Sequence, residues 1–140
     1  YAVSARQAMT ARVPPPLRPL LAIHLAPIAL FGTVALGLGW TAAGTALAWL
    51  ALALLILGLA AARWLLADGF SALWGALTFP VAATAGLWVT LWQLQPSELH
   101  RLIAGVVLVI ATLVALPILA LVLKAWAQGR LTVKTNAAIA

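Results

Sequence analysis

Long apolar stretches separated by short polar segments dominate this sequence. Three stretches carry no charged residue, and they lie between Arg18 and Arg63, between Asp68 and Glu98, and between Arg101 and Lys124. An α-helix needs about 20 apolar residues to cross the roughly 30 Å hydrocarbon layer of a bilayer. The first stretch is long enough for two such helices, and each of the other two for one. The pattern therefore predicts four transmembrane helices.

The predicted spans are about 18–39, 43–63, 71–93 and 102–126. The first two are separated by a segment rich in glycine, 37–44, which is typical of a tight turn at the membrane surface. Residues 1–17 form a basic, proline-rich segment before the transmembrane region 18–127, and residues 128–140 form a tail. Because backbone polar groups in lipid must be bonded within the segment, the spans are expected to be helical. The predicted fold is an all-α integral membrane protein built from two hairpins.

The composition excludes the main alternatives. Hydrophobic residues make up 66% of the 140-residue chain and charged residues 7%, with a mean hydropathy of +1.14. Soluble domains have roughly 45–50% apolar and about 25% charged residues. Disordered chains are poor in apolar residues and rich in charge. Neither a soluble globular domain nor a disordered chain fits, so the predicted solvent is the lipid bilayer.

The basic residues predict an orientation. With four spans, one side of the membrane receives both ends of the chain and the second loop, which carry Arg6, Arg12, Arg18, Arg63, Lys124, Arg130 and Lys134. The opposite side receives Arg101 alone. This bias places both ends in the cytoplasm and the protein in the inner membrane. The net charge of +6 is then explained by topology and anionic lipid. Basic residues dispersed in this way do not predict nucleic-acid binding.

Catalytic and metal-binding chemistry has little support in the sequence. The chain contains no cysteine, which excludes thiolate catalysis and sulfur ligands. The two carboxylates, Asp68 and Glu98, are predicted on opposite sides of the membrane. The two histidines, His24 and His100, are predicted in different helices near opposite faces. We therefore expect no enzyme activity, no metal and no cofactor.

Prolines and polar residues are unevenly distributed among the spans. The first contains Pro27 and the third contains Pro80, both accompanied by threonines. A proline inside a helix frees the carbonyl four residues back and bends the helix. In a bilayer the freed carbonyl needs a partner or a watery cavity, as at the discontinuous helices of transporters. The second span is almost featureless and is predicted to face lipid.

The third span carries a small-residue stripe at helical spacing, formed by Gly75, Ala76, Phe79, Ala82, Ala83 and Gly86. Two interpretations are open for it. Small residues let helix backbones approach closely, so the stripe is typical of helix–helix contact. It also fits a pore wall that is narrow only where Phe79 projects. The tryptophans further along, Trp88 and Trp92, are predicted to be interfacial anchors.

Two motifs, in this order along the chain, resemble the tellurite-resistance/dicarboxylate transporter family, which includes TehA-like proteins and the slow-type anion channels of plant guard cells. The first motif has a Leu-Arg-Pro entry and an Ala-Pro centre, Leu17-Arg18-Pro19 and Ala26-Pro27. The second has a Phe-Ser start followed by Trp and a Leu-Thr-Phe-Pro run, Phe70-Ser71, Trp74 and Leu77-Thr78-Phe79-Pro80. The resemblance covers about the last two-fifths of the family pattern.

The resemblance implies a ten-helix fold of five hairpins around a pore, in which these spans would be helices seven to ten. In that family proline-bent odd-numbered helices line the pore, a phenylalanine of the ninth helix occludes it, and the proteins are homotrimers. Phe79 is the predicted occluding residue, with a packed aromatic beside a proline kink as the alternative. The residues predicted to line the pore or bend its helices are Pro27, Pro80, Gly75, Ala76, Ala83 and Gly86.

His24 and Arg18 are candidates for the pore mouth, although an interfacial histidine is the common case at such a depth. The predicted function is a channel or exporter for small inorganic or dicarboxylate anions. The alternative is a non-transporting membrane anchor or scaffold subunit. Because two hairpins do not close a five-hairpin pore, and the chain starts without Met, we expect the sequence to be part of a longer gene product lacking helices one to six here.

Overall fold

The computed structural model describes residues 13–129, and all regular secondary structure within them is helical. The elements are a 3-10 helix η1 (Pro15–His24), α1 (Leu25–Gly37), α2 (Thr41–Ala60), a short α3 (Ala62–Leu65), a second 3-10 helix η2 (Ala72–Leu77), α4 (Thr78–Leu94) and α5 (Glu98–Ala127). The predicted all-α class is thereby confirmed.

Four helical segments are long and apolar enough to cross a membrane. They are Pro15–Gly37, Thr41–Ala60, Ala72–Leu94 and Glu98–Ala127. Their number is the predicted one, and their length and composition indicate a multi-pass membrane protein. Parts of the predicted end segments 1–17 and 128–140 lie outside the described residues, together with Arg6, Arg12, Arg130 and Lys134.

Short connections join the helices, and specific residues mark where one helix ends and the next begins. After α1 the chain turns at Gly39, whose φ of 79° lies in the left-handed region that favours glycine. Before α5 the hydroxyl Oγ of Ser97 accepts a hydrogen bond from the backbone N–H of His100 at 3.1 Å. This is an N-cap, which satisfies one of the free donors at the start of the helix. The first and second pairs of spans are consequently antiparallel hairpins.

The two hairpins pack so that α1 and α4 are central. Helix α1 contacts α2 behind it and α4 beside it, and α4 in turn contacts α5. The 3-10 helices η1 and η2 also contact each other. The first and third spans are therefore parallel neighbours along their whole length. The second and fourth spans flank them.

Helix α2, predicted to face lipid, packs through one narrow face and is exposed over most of its surface. Gly44, Ala48 and Ala51 form its buried face. A Cβ placed on Gly44 would lie 2.5 Å from Leu36 Cγ of α1. Gly32 of α1 is equally tight, since a Cβ there would lie 2.8 Å from Leu87 Cδ2 of α4. The close helix approach that small residues permit thus occurs at these two glycines.

Trp88 lies at the centre of the four-helix unit, so the prediction that it is an interfacial anchor is wrong. Its side chain is fully buried, and its ring lies 5.1 Å from that of Trp49 on α2 and 6.0 Å from that of His100 on α5. Trp92, one turn further on, is 37% exposed. A tryptophan one turn from a helix end can face inward as well as outward, and residue type alone does not distinguish the two.

Candidate functional site

Both central spans change from 3-10 helix to α-helix immediately before a proline. Pro27 is the third residue of α1, and Pro80 is the third residue of α4. Proline lacks an N–H, so it is tolerated in the first turn of an α-helix and not in its interior. The sequence predicted bends within continuous helices. The structure instead has a change of helix type, because the α-helical hydrogen-bond pattern begins just ahead of each proline.

The two changes of helix type lie side by side. The contacts of η1 with η2, and of α1 with α4, bring corresponding parts of the two parallel spans together. The 3-10 helix is narrower and has poorer hydrogen-bond geometry than the α-helix, so long runs of it are uncommon. The run in η1 covers 10 residues. The first and third spans are thus adjacent and parallel, and each changes helix type along its length.

The residues that resemble the family motif build the start of the third span. The indole Nε1 of Trp74 donates a hydrogen bond to the carbonyl of Gly69 at 3.0 Å. The ring of Phe70 meets that of Trp74 edge to face at 5.5 Å. Gly69 itself has φ 75°, a backbone conformation that favours glycine. The Gly-Phe-Ser-x-x-Trp part of the motif therefore folds as a closed turn ahead of η2.

Threonines beside the second break bond to their own helix. Thr78 Oγ1 donates to the carbonyl of Gly75 at 2.8 Å, and the buried Thr84 Oγ1 donates to the carbonyl of Pro80 at 2.8 Å. Such bonds back to a carbonyl three or four residues earlier satisfy the hydroxyl and often bend helices. These hydroxyls therefore stabilise the local shape of the span.

Phe79 lies at the second break, directly before Pro80, and points away from the core. Its side chain is 56% exposed. The alternative for this residue was a packed aromatic beside a proline kink. Within residues 13–129 no other aromatic ring stacks on it. Its role as an occluding residue stays a prediction.

The small-residue stripe is mostly open. Ala82 and Gly86 are exposed, and a Cβ added to Gly75 or to Gly86 would meet nothing within 4 Å. Ala76 and Ala83 are half-buried beside them. Among the described residues, no helix makes the close approach at Gly75 and Gly86 that such a stripe favours. The stripe, which includes Phe79, runs along η2 and α4 and forms a partly exposed face of mostly small side chains, which we call the open face.

Arg18 and His24 lie on η1. Arg18 Nη1 donates to the backbone carbonyl of Trp64 at 3.3 Å, and its guanidinium carbon lies 4.6 Å from the Trp64 ring centroid. His24 lines an apolar groove between α2 and α5. The structure therefore brings Arg18 to α3 and His24 to the groove.

The sequence predictions missed the tightest contacts in the structure, at Gly32 and Gly44. A signal was present, since Gly44, Ala48 and Ala51 recur on α2 at spacings of four and three residues.

No protein-family profile matches the chain, and comparisons with curated proteins and with solved structures find no significant match.

Proposed function

We propose that the protein is a membrane channel or exporter for small anions, of the tellurite-resistance/dicarboxylate transporter type. In this proposal the first and third spans are inner helices that face a conduit, and the second and fourth are outer helices. The transported anions are small inorganic ions or dicarboxylates. The complete protein is a homotrimer in the inner membrane with a pore in each protomer, as the family resemblance implies.

The observation that carries the proposal is the adjacent pair of spans that each change from 3-10 helix to α-helix just before Pro27 or Pro80. Regular α-helix is the usual form of a membrane-spanning segment, because it satisfies every backbone polar group within the segment. Irregular backbone at membrane depth is tolerated where it lines a cavity or is buried in protein. Two such irregularities in register fit a transport pathway better than an anchor.

The open face of the third span supports the same conclusion. Most of its side chains are small, namely those of Gly75, Ala76, Ala83 and Gly86. Phe79 is the large side chain that projects from it. In a conduit a projecting apolar ring excludes hydrated ions by dewetting. The ring also changes rotamer without breaking a hydrogen bond. Phe79 is therefore suited to occlude the pathway.

Anion preference in this proposal comes from weak, distributed positive potential. The described spans contain no lysine or arginine between Arg18 and Arg63, so no fixed cation would bind the anion tightly. Arg18 and Arg63 lie on the same side of the protein, which the positive-inside bias places at the cytoplasmic face. Helix dipoles at the two breaks add partial charge. Such a pathway favours permissive anion passage over tight binding.

The test is reconstitution of the full-length gene product in liposomes with measurement of chloride, malate and sulfite flux. The proposal expects flux of at least one of these anions that depends on the protein. Absence of flux for all three, together with copurification of a partner protein, would overturn the proposal in favour of a membrane anchor. Labelling of single cysteines at Asp68 and Ser97 in intact cells tests the orientation separately.

A further inference from the structure

An apolar groove lies between α2 and α5, at the end of these helices that is near α3. Its walls are formed by Leu54, Leu57 and Gly58 of α2 and by Leu113 and Pro117 of α5. The first turn of α4 forms its floor, and its volume is about 480 Å³. That volume lies within the roughly 300–1,000 Å³ typical of ligand sites.

The groove is open along one side. Leu57 in its wall is 63% exposed. Both walls belong to helices that are long and apolar enough to cross a membrane, so this side lies at the depth of the hydrocarbon. An occupant must therefore be apolar over most of its length and reach the groove from within the membrane. A lipid acyl chain meets both conditions.

One end of the groove is basic. Trp64 lines this end, and Arg18 stacks on the Trp64 ring with 4.6 Å between the guanidinium carbon and the ring centroid. Arg18 Nε donates to the carbonyl of Val13 at 3.3 Å and Nη1 to that of Trp64 at 3.3 Å. Among residues 13–129, Nη2 donates to no group and no carboxylate lies within ion-pair distance of Arg18. Two hydrogen bonds therefore hold the guanidinium in place, and its Nη2 can still donate to a ligand.

A second basic residue lies beside the same end. Arg63 is exposed and stands in α3 between Ala62 and Trp64, both of which line the groove. The nearby carboxylate, Asp68, is also exposed and forms no ion pair with Arg63 or Arg18 in the described part of the chain. The groove end therefore carries two cations against one anion, and this charge is complementary to a phosphodiester.

We propose that this groove binds one anionic phospholipid, with an acyl chain between α2 and α5 and the headgroup phosphate at Arg18 and Arg63. Arginine beside an aromatic ring at the membrane interface is well suited to a phosphate, because its planar fork donates two parallel hydrogen bonds. Basic pockets between transmembrane helices are a recognised form of anionic lipid site. The site shares Arg18 and Arg63 with the proposed function, but it does not include the open face, and its test measures lipid binding and not anion flux.

The first experiment measures headgroup preference. The full-length protein is equilibrated in mixed micelles with equal amounts of phosphatidylglycerol and phosphatidylcholine of identical acyl chains, and bound lipid is counted by native mass spectrometry. We expect preferential retention of phosphatidylglycerol. Since each basic residue contributes about fivefold, Arg18→Gln and Arg63→Gln together should reduce the preference by roughly 25-fold.

Two variants act as controls for charge. Arg101 is paired with Glu98 at 2.6 Å at the other end of the helices, so Arg101→Gln removes the same charge and should leave the preference unchanged. Asp68→Asn removes the opposing carboxylate and should raise the preference. Arg18→Lys keeps the charge and should retain part of the preference, which guards against a folding defect in Arg18→Gln.

The second experiment tests the acyl-chain part of the site. A Cβ added to Gly58 meets nothing within 4 Å, so Gly58→Leu introduces a bulky side chain at a groove position where its Cβ has free space. We expect this variant to lower binding of both lipids by a similar factor. Ala53→Leu is the matched control, since Ala53 is an exposed position of α2 outside the groove.

Three outcomes would overturn the proposal. Equal binding of the two lipids by the wild-type protein would exclude headgroup recognition. A preference that survives loss of both arginines would place the lipid elsewhere. A Gly58→Leu protein that binds lipid normally but changes oligomeric mass would assign the groove to a second copy of the protein.

Discussion

The rings of Trp49 and Trp88 meet edge to face, with 5.1 Å between their centroids and an angle of 87° between their planes. Trp49 belongs to α2 of the first hairpin and Trp88 to α4 of the second. Edge-to-face pairs of this kind contribute about 0.5–1.5 kcal/mol beyond the area that they bury. This pair therefore joins the two hairpins at the level where the 3-10 helices are absent and packing is tightest.

Trp88→Ala should destabilise the protein by about 3–5 kcal/mol, because it leaves a large cavity in the fully buried core. Thermal or denaturant unfolding in a fixed detergent measures the effect. Trp92→Ala is the control, since Trp92 is 37% exposed, and it should change stability by much less.

Trp88→Phe separates ring packing from the indole N–H. Among the described residues, Trp88 Nε1 is buried without a hydrogen-bond partner. An unpaired buried donor costs about 1–3 kcal/mol, so removal of this N–H offsets part of the lost volume. We expect a much smaller loss of stability than with alanine. Equal losses for the two variants would contradict this account of the core.

Gly44→Val should destabilise the first hairpin by about 1–3 kcal/mol, the usual cost of overpacking. The added Cβ would lie 2.5 Å from Leu36 Cγ and 3.2 Å from the Gly32 carbonyl oxygen, so α1 and α2 must separate. Gly58→Val on the same helix is the matched control, because its Cβ meets nothing within 4 Å. A similar melting temperature for both variants would be inconsistent with the close approach.

Phe79→Ala should raise anion conductance of the full-length protein if the open face lines a conduit. Removal of the ring lowers the barrier to ion entry, and a reduction of about 1.4 kcal/mol corresponds to a tenfold rise in flux. Leu116→Ala is the control, since Leu116 is 59% exposed and lies on α5, which the proposal places among the outer helices. Unchanged currents for Phe79→Ala in bilayer recordings would remove this residue from the proposed pathway.

Cysteine accessibility tests whether the open face meets water. The chain has no cysteine of its own, so single substitutions can be labelled without interference from it. We expect Ala82→Cys and Gly86→Cys to react with a water-soluble, membrane-impermeant thiol reagent. Ala53→Cys, exposed on α2, should face lipid and stay unlabelled. Labelling of all three or of none would contradict a water-filled conduit along α4.

The gross fold was predictable because membrane insertion depends on length and hydrophobicity. Charge-free stretches bounded by Arg18 and Arg63, or by Asp68 and Glu98, leave few ways to cross a bilayer. Which face of each helix packs inward was less predictable. All sides of these helices are apolar, so α2 has no polar face to distinguish lipid from protein contact. The buried position of Trp88 was missed for that reason.

The form of the first and third spans was only partly predictable. The sequence predicted bends at Pro27 and Pro80, and the structure has a change of helix type just before each of them. Their place in the first turn of an α-helix depends on η1 and η2, whose 3-10 geometry the hydrophobic pattern did not predict. The Arg18–Trp64 contact joins residues far apart in sequence and depends on how the two hairpins pack.

The 3-10 form of the first span also sets how far Arg18 reaches. A 3-10 helix rises about 2.0 Å per residue and an α-helix about 1.5 Å. From Leu25 back to Arg18 the chain therefore covers about 14 Å along the axis, where α-helix would cover about 10 Å. This added reach carries the guanidinium toward the headgroup region without lengthening the sequence. The 3-10 helix η1 has poorer hydrogen-bond geometry than an α-helix, and it places Arg18 nearer to the membrane surface.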